Sequence, residues 1–100
     1  MKISEFQKNI KDIYFTKDSG RGVMGTFAWF VEEVGELSRA VRRGDKTQME
    51  EEFSDVFAWL VSLASICGVD MEKAIGKYAA GCPKCGATPC SCGEPAPMRK

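Results

Sequence analysis

Residues 26–66 read TFAWFVEEVGELSRAVRRGDKTQMEEEFSDVFAWLVSLASI, and this stretch decides the fold. Apolar residues recur at helical spacing on both sides of Gly44-Asp45. Phe30, Val34, Leu37 and Val41 come before the turn, with Phe27 beside them. Met49, Phe53, Val56, Leu60, Leu63 and Ala64 come after it. Arg42 and Arg43 suit the C-terminal end of a helix dipole, and Gly44 suits a C-cap. Thr47, with Glu50 three residues on, reads as a capping box that opens the next helix. So short a turn makes the two helices antiparallel neighbours.

Working outward, Ile3, Phe6, Ile10 and Tyr14 have helical spacing, with Ser4 as a cap. Residues 15–25 carry three glycines and no periodicity, so a loop is expected there. After Gly68, Asp70 caps a fourth helix with apolar positions Met71, Ala74, Ile75 and Tyr78, which Gly81 stops. The expected fold is all-α: an antiparallel helical bundle of about four helices, completed by oligomerisation, with a small cysteine-rich C-terminal tail. A helical domain is expected over 1–81, a zinc-binding knuckle over 82–93 and a flexible tail over 94–100.

Two pairs of acids share one internal spacing inside the hairpin, Glu33 with Glu36 and Glu52 with Asp55. Helical residues three apart lie on one face. Each pair sits at the margin of an apolar stripe, beside Trp29 in one helix and Trp59 in the other. Glu36 precedes Gly44 by eight residues and Glu52 follows it by eight, so the pairs lie at similar height. Four like charges brought together need a cation, and hard oxygen ligands without histidine favour Mg²⁺ or Mn²⁺. Part of such a cluster should hold protons more tightly than usual, and divalent metal should stabilise it. The competing reading is a solvated acidic helix face.

Composition narrows the rest. The chain has 100 residues, 14 basic and 14 acidic, and no histidine. Zero net charge leaves no basic footprint for a nucleic-acid duplex. Between Glu32 and Asp55, however, eight acidic residues face only Arg39, Arg42, Arg43 and Lys46. The apolar run 56–67 is too short to span a membrane, and no secretory leader is legible. A cytoplasmic setting is expected. There, five cysteines point to metal ligation before disulfides.

The blocks Glu32-Glu33-Val34-Gly35-Glu36-Leu37 and Glu52-Phe53-Ser54-Asp55-Val56 resemble those of the MazG-like nucleotide pyrophosphohydrolases, over about Phe27 to Tyr78. That resemblance implies an all-α homodimer or homotetramer. The implied activity is cleavage of nucleoside triphosphates between the α and β phosphates, giving a monophosphate and pyrophosphate. By position it implies Glu33, Glu36, Glu52 and Asp55 as ligands of Mg²⁺ or Mn²⁺, with Glu32 as an additional catalytic glutamate. Glu36 or Glu33 is the candidate to take a proton from the attacking water. Lys73 and Lys77 match late-helix phosphate-binding residues, and Lys17 and Arg21 are further phosphate-binding candidates. Trp29 and Trp59 are base-stacking candidates, with Phe15 behind them; ordinary packing competes for all three.

Cys82-x-x-Cys85 and Cys90-x-Cys92 place four thiolates within eleven residues, a pattern that suits tetrahedral structural zinc. Disulfides, redox-active thiols and an iron centre are the competing readings. Cys67 reads as a buried thiol at the end of an apolar helix. Two functions follow from different classes. One is divalent-metal-dependent hydrolysis of nucleoside triphosphates. The alternative is a zinc-stabilised helical protein-interaction module without catalysis. A di-iron carboxylate protein ranks below both, since its usual histidine ligands are missing.

Overall fold

A computed structural model describes residues 1–94. The chain is all-α: helix α1 (Ile3–Arg43), helix α2 (Lys46–Ile66), a one-turn helix α3 (Met71–Ala74) and a 3-10 turn (Ile75–Tyr78), with no strand among the described residues. The expected fraying of residues 94–100 lies, beyond Glu94, outside the described residues.

The expected loop over 15–25 is a correction. Helix continues to Arg21 and resumes after one break, at Gly22 (φ 79, ψ 174). That backbone conformation is open to glycine and strained for residues with a Cβ. A straight helix of 41 residues would measure about 60 Å, whereas the longest extent of the molecule is 43 Å. The break therefore bends α1. What holds the flanks helical is burial. Asp18 is 2% exposed and Thr26 fully buried. Asp18 accepts a charge-assisted hydrogen bond from Arg21, and the Thr26 hydroxyl donates to the Asp18 carbonyl at 3.4 Å. Glycines at 20 and 25 each cost about 1 kcal/mol of helix propensity, and this burial and these hydrogen bonds within α1 offset that cost.

The hairpin at Gly44 forms as expected. The Gly44 N–H donates to the carbonyls of Ala40 and Val41, and the glycine is left-handed. The N-cap of α2, however, is Asp45, whose carboxylate accepts from Gln48 N at 3.2 Å. The Thr47–Glu50 capping box is thereby corrected: Asp45 follows the turn directly and takes the orphan amide two residues earlier. Ser4 likewise caps nothing. The helix opens after Lys2, and Ser4 N donates to Glu72 of α3. Asp70 caps α3 as expected, accepting from Lys73 N at 3.2 Å. The fourth helix is shorter than its apolar pattern suggested. It is one α-turn followed by a 3-10 turn, bent by 99° from α2.

Long-range contacts run between α1 and α2. Gln7 donates to Ser65 Oγ and to the Val69 carbonyl, Phe6 stacks on Phe57 at 5.2 Å, and Trp29 stacks on Trp59 at 5.8 Å. The pair is antiparallel, with Gln7 near the end of α2 and Glu33 near its start. The seam on the second half of α1 is Thr26, Glu33 and Ala40, seven residues apart, flanked by half-buried Phe30 and Leu37. The expected core face is only partly used. Phe27, Val34, Val41 and Phe53 are 41–58% exposed. α2 covers one margin of that face and leaves the rest open. Cys67 is also a correction: it follows the last turn of α2 and is exposed. No single helix among the described residues is long and apolar enough to cross a membrane.

Candidate metal centre and adjoining cleft

Three of the four expected carboxylates meet. Glu33 from α1 and Glu52 and Asp55 from α2 each offer an oxygen within 4.8 Å of the others. The hairpin causes this directly. Glu33 lies on the seam of α1, and Glu52 and Asp55 are one turn apart on the face of α2 that meets it. Glu52 and Glu33 are half-buried, and Asp55 is exposed at the mouth.

Glu36 does not join the trio. It lies one turn further along α1 and accepts from Arg39 at 3.4 Å on the exposed surface. Its charge still reaches the cluster. Burial, then the carboxylates of Asp55, Glu52 and Glu36, and finally a hydrogen bond to Glu52, raise the pKa of Glu33 above the usual glutamate value. The raised proton affinity expected of a crowded carboxylate site is therefore present in direction. Glu32 is exposed and lies outside the trio.

One atom identifies what the trio lacks. Glu52 Oε2 is buried without a hydrogen-bond partner among the described residues. A buried carboxylate oxygen left unpaired is costly, and a cation or a proton relieves the cost. Three hard carboxylate oxygens, one from each residue, fit Mg²⁺ or Mn²⁺ in charge and ligand chemistry.

A cleft of about 250 Å³ opens beside Asp55. It is lined by Tyr14, Lys17, Asp18 and Arg21 of α1 and by Asp55, Ala58, Trp59 and Ser62 of α2. The bend of α1 brings its first half against this side of α2. Arg21 is held in two ways: its guanidinium pairs with buried Asp18 and lies 4.9 Å over the Trp59 ring. Its Nε is buried without a partner among the described residues. Lys17 and Arg21 thus share a cleft with Asp55. Lys73 and Lys77 do not line it. Their segment packs at the opposite end, against Ser4 and Gln7, and the Lys77 ammonium lies over Tyr78. Trp59 lines the cleft, whereas Trp29 stacks behind it and is half exposed; Phe15 is exposed away from it.

Sequence reasoning missed Asp18 and Tyr14, both on cleft-lining turns. Asp18 sits three residues before Arg21, a helical ion-pair spacing, and that spacing was a usable signal once residues 15–21 are read as helix.

The second cluster is built from Cys82, Cys85, Cys90 and Cys92, whose sulfurs all lie within 4.8 Å of one another. Its thiols differ. Hydrogen bonds from Ser91, first from its side chain, and from the Ala87 backbone lower the Cys85 thiol to about 5. Hydrogen bonds with the Cys90, Cys85 and Cys82 sulfurs push Cys92 up to about 11. Both clusters can chelate a metal ion.

Two helices joined by a tight hairpin, with acids facing across it, define a carboxylate-lined α-helical site. Residues 22–85 match the MazG nucleotide pyrophosphohydrolase domain, and the chain belongs to that family. The match begins at the break in α1 and takes in Cys67 and the first two cysteines of the cluster, Cys82 and Cys85, so Tyr14, Lys17, Asp18 and Arg21 lie before it. No curated protein matches the chain.

Proposed function

We propose that the protein is a divalent-metal-dependent nucleoside triphosphate pyrophosphohydrolase that cleaves between the α and β phosphates. The observation that carries this reading is the trio Glu33, Glu52 and Asp55 with its unpartnered Glu52 oxygen, at the mouth of a cleft lined by Lys17 and Arg21. Family membership supports the same class.

Glu33, Glu52 and Asp55 would hold Mg²⁺ or Mn²⁺. Such an ion supplies charge neutralisation for the phosphate chain and a more acidic bound water. The chain's own residues do the rest. Lys17 and Arg21 bind phosphate oxygens from the opposite wall, and Asp18 and Trp59 fix the guanidinium of Arg21 so that little orientation remains to be lost on binding. The Trp59 ring, already covered by Arg21 and stacked on Trp29, backs the cleft wall. Glu36 stands outside the trio and pairs with Arg39, yet it is close enough to act on Glu33, so it is the candidate to take a proton from the attacking water; Glu32 plays at most an orienting part. Within one chain, Lys73 and Lys77 lie away from this cleft.

The exposed face of Phe27, Val34, Val41 and Phe53 suits a second copy of the chain, which supports a homodimer or homotetramer. The same face, with the cysteine cluster, favours the second reading, a zinc-stabilised interaction module without catalysis. A panel of nucleoside triphosphates with Mg²⁺ separates the two, scored for pyrophosphate against orthophosphate release beside a Glu52→Gln control. Pyrophosphate release lost in the control supports the hydrolase. No turnover across the panel, or turnover unchanged in the control, leaves the interaction module.

A further inference from the structure

The four cysteines beyond the helices form a group apart from the carboxylate trio and do not line the cleft, and their geometry is specific. Three sulfur–sulfur separations are 3.8 Å (Cys82 to Cys92), 3.9 Å (Cys85 to Cys90) and 3.6 Å (Cys90 to Cys82). A disulfide needs about 2.05 Å, and all five cysteines are free. A tetrahedron of sulfurs around zinc, with Zn–S of about 2.3 Å, has edges of about 3.8 Å. The observed separations therefore match ligands arranged about a common centre, although no bond joins them.

The surrounding backbone is shaped for the same purpose. Gly86 N donates to the Cys82 carbonyl at 2.7 Å and Cys82 N to the Ala87 carbonyl at 3.0 Å, which closes the turn Cys82-Pro83-Lys84-Cys85-Gly86. Gly86 takes the left-handed conformation that the turn requires (φ 73). Two amides point at sulfur: Ser91 N to Cys85 Sγ at 3.3 Å and Cys92 N to Cys90 Sγ at 3.4 Å. Such bonds offset the charge of metal-bound thiolates. Residues two apart in a non-helical segment can face the same side, which is how the tight Cys90-Ser91-Cys92 pair reaches one centre.

We infer that Cys82, Cys85, Cys90 and Cys92 form a closed structural zinc site that fixes residues 82–92. Four thiolates fill the tetrahedron and leave no open position, so the site binds no substrate. Zinc carries no redox chemistry, which suits a site where Cys85 and Cys90 are open to solvent.

The test uses the full chain, produced with zinc supplied and purified under reducing conditions. The expected content is about one tightly held zinc per chain. Replacement by Co²⁺ should give the intense visible bands of a tetrahedral site and sulfur-to-cobalt charge transfer in the near ultraviolet. Cys85→Ser and Cys90→Ser should each lose the tightly held zinc, with the far-ultraviolet helix signal retained. Glu52→Gln should keep it, which separates this site from the carboxylates. Iron in place of zinc, a zinc content far below the expected value, a six-coordinate cobalt spectrum, or full zinc in both serine variants would each overturn the assignment.

Discussion

The two clusters, one of carboxylates and one of thiols, come from opposite kinds of chain. The cysteines lie within eleven consecutive residues, and a local turn gathers all four. The acids lie on two helices, and a hairpin gathers three of four. The cysteine set is closed and carries its own backbone donors. The acidic set is open at Asp55, crowded at Glu33 and unpaired at Glu52. A structural site satisfies its ligands within the chain. A working site leaves charge and space for something else.

Breaking the acidic side should have the largest effect. Glu52→Gln removes the half-buried ligand and keeps its shape. The loss of several kcal/mol of charge stabilisation should slow hydrolysis on the order of a thousandfold. Steady-state pyrophosphate release checks this, and residual activity within tenfold of the unchanged protein would contradict it.

The two sites should also respond differently to added cation. Mg²⁺ at a hundred times its dissociation constant should stabilise the protein by about 2.7 kcal/mol. For a domain this size, the melting temperature should rise on the order of 10 °C. Thermal scans of Glu33→Gln should show no such rise, while the zinc site stays loaded.

A smaller change sharpens the account of the cleft. Lys17→Met should raise KM about tenfold, the scale of one charged hydrogen bond. Lys73→Met and Lys77→Met, at the far end of the molecule, should leave kcat/KM within about twofold by the same scale. Equal losses in all three variants would remove the cleft from the phosphate path.

The smallest effect is in pH dependence. The folded-state pKa of Glu33 is raised, with burial as the first cause. Its contribution to stability is therefore fully present below the ordinary glutamate range and lost as pH rises through the raised value. Metal-free wild type should lose stability relative to Glu33→Gln across that window. Denaturant titrations of both proteins at several pH values measure the difference, and parallel curves would contradict it.

The sequence made the hairpin legible because its signals were local: apolar spacing, Gly44 and the paired arginines. Matched distance from the turn was enough to bring Glu33 to Glu52 and Asp55. It was not enough for Glu36, because residues three apart share a face only to within about 60°, and here the seam follows Thr26, Glu33 and Ala40 instead. The bend at Gly22 was hidden for a different reason. Three glycines and a polar stretch have the composition of a loop, and the burial of Asp18 and Thr26, with the hydrogen bond between them, is what the helix gains there. Lys17 and Arg21 could be named as phosphate candidates from their charge. Their place in the cleft depends on that bend, which no local pattern states.

The central claim is that Glu33, Glu52 and Asp55 share a divalent cation. Calorimetric titration of Mn²⁺ into the full chain and into Glu52→Gln, at neutral pH, tests it most directly. The account predicts saturable binding that the substitution abolishes. Binding of equal strength and stoichiometry in both proteins would contradict it.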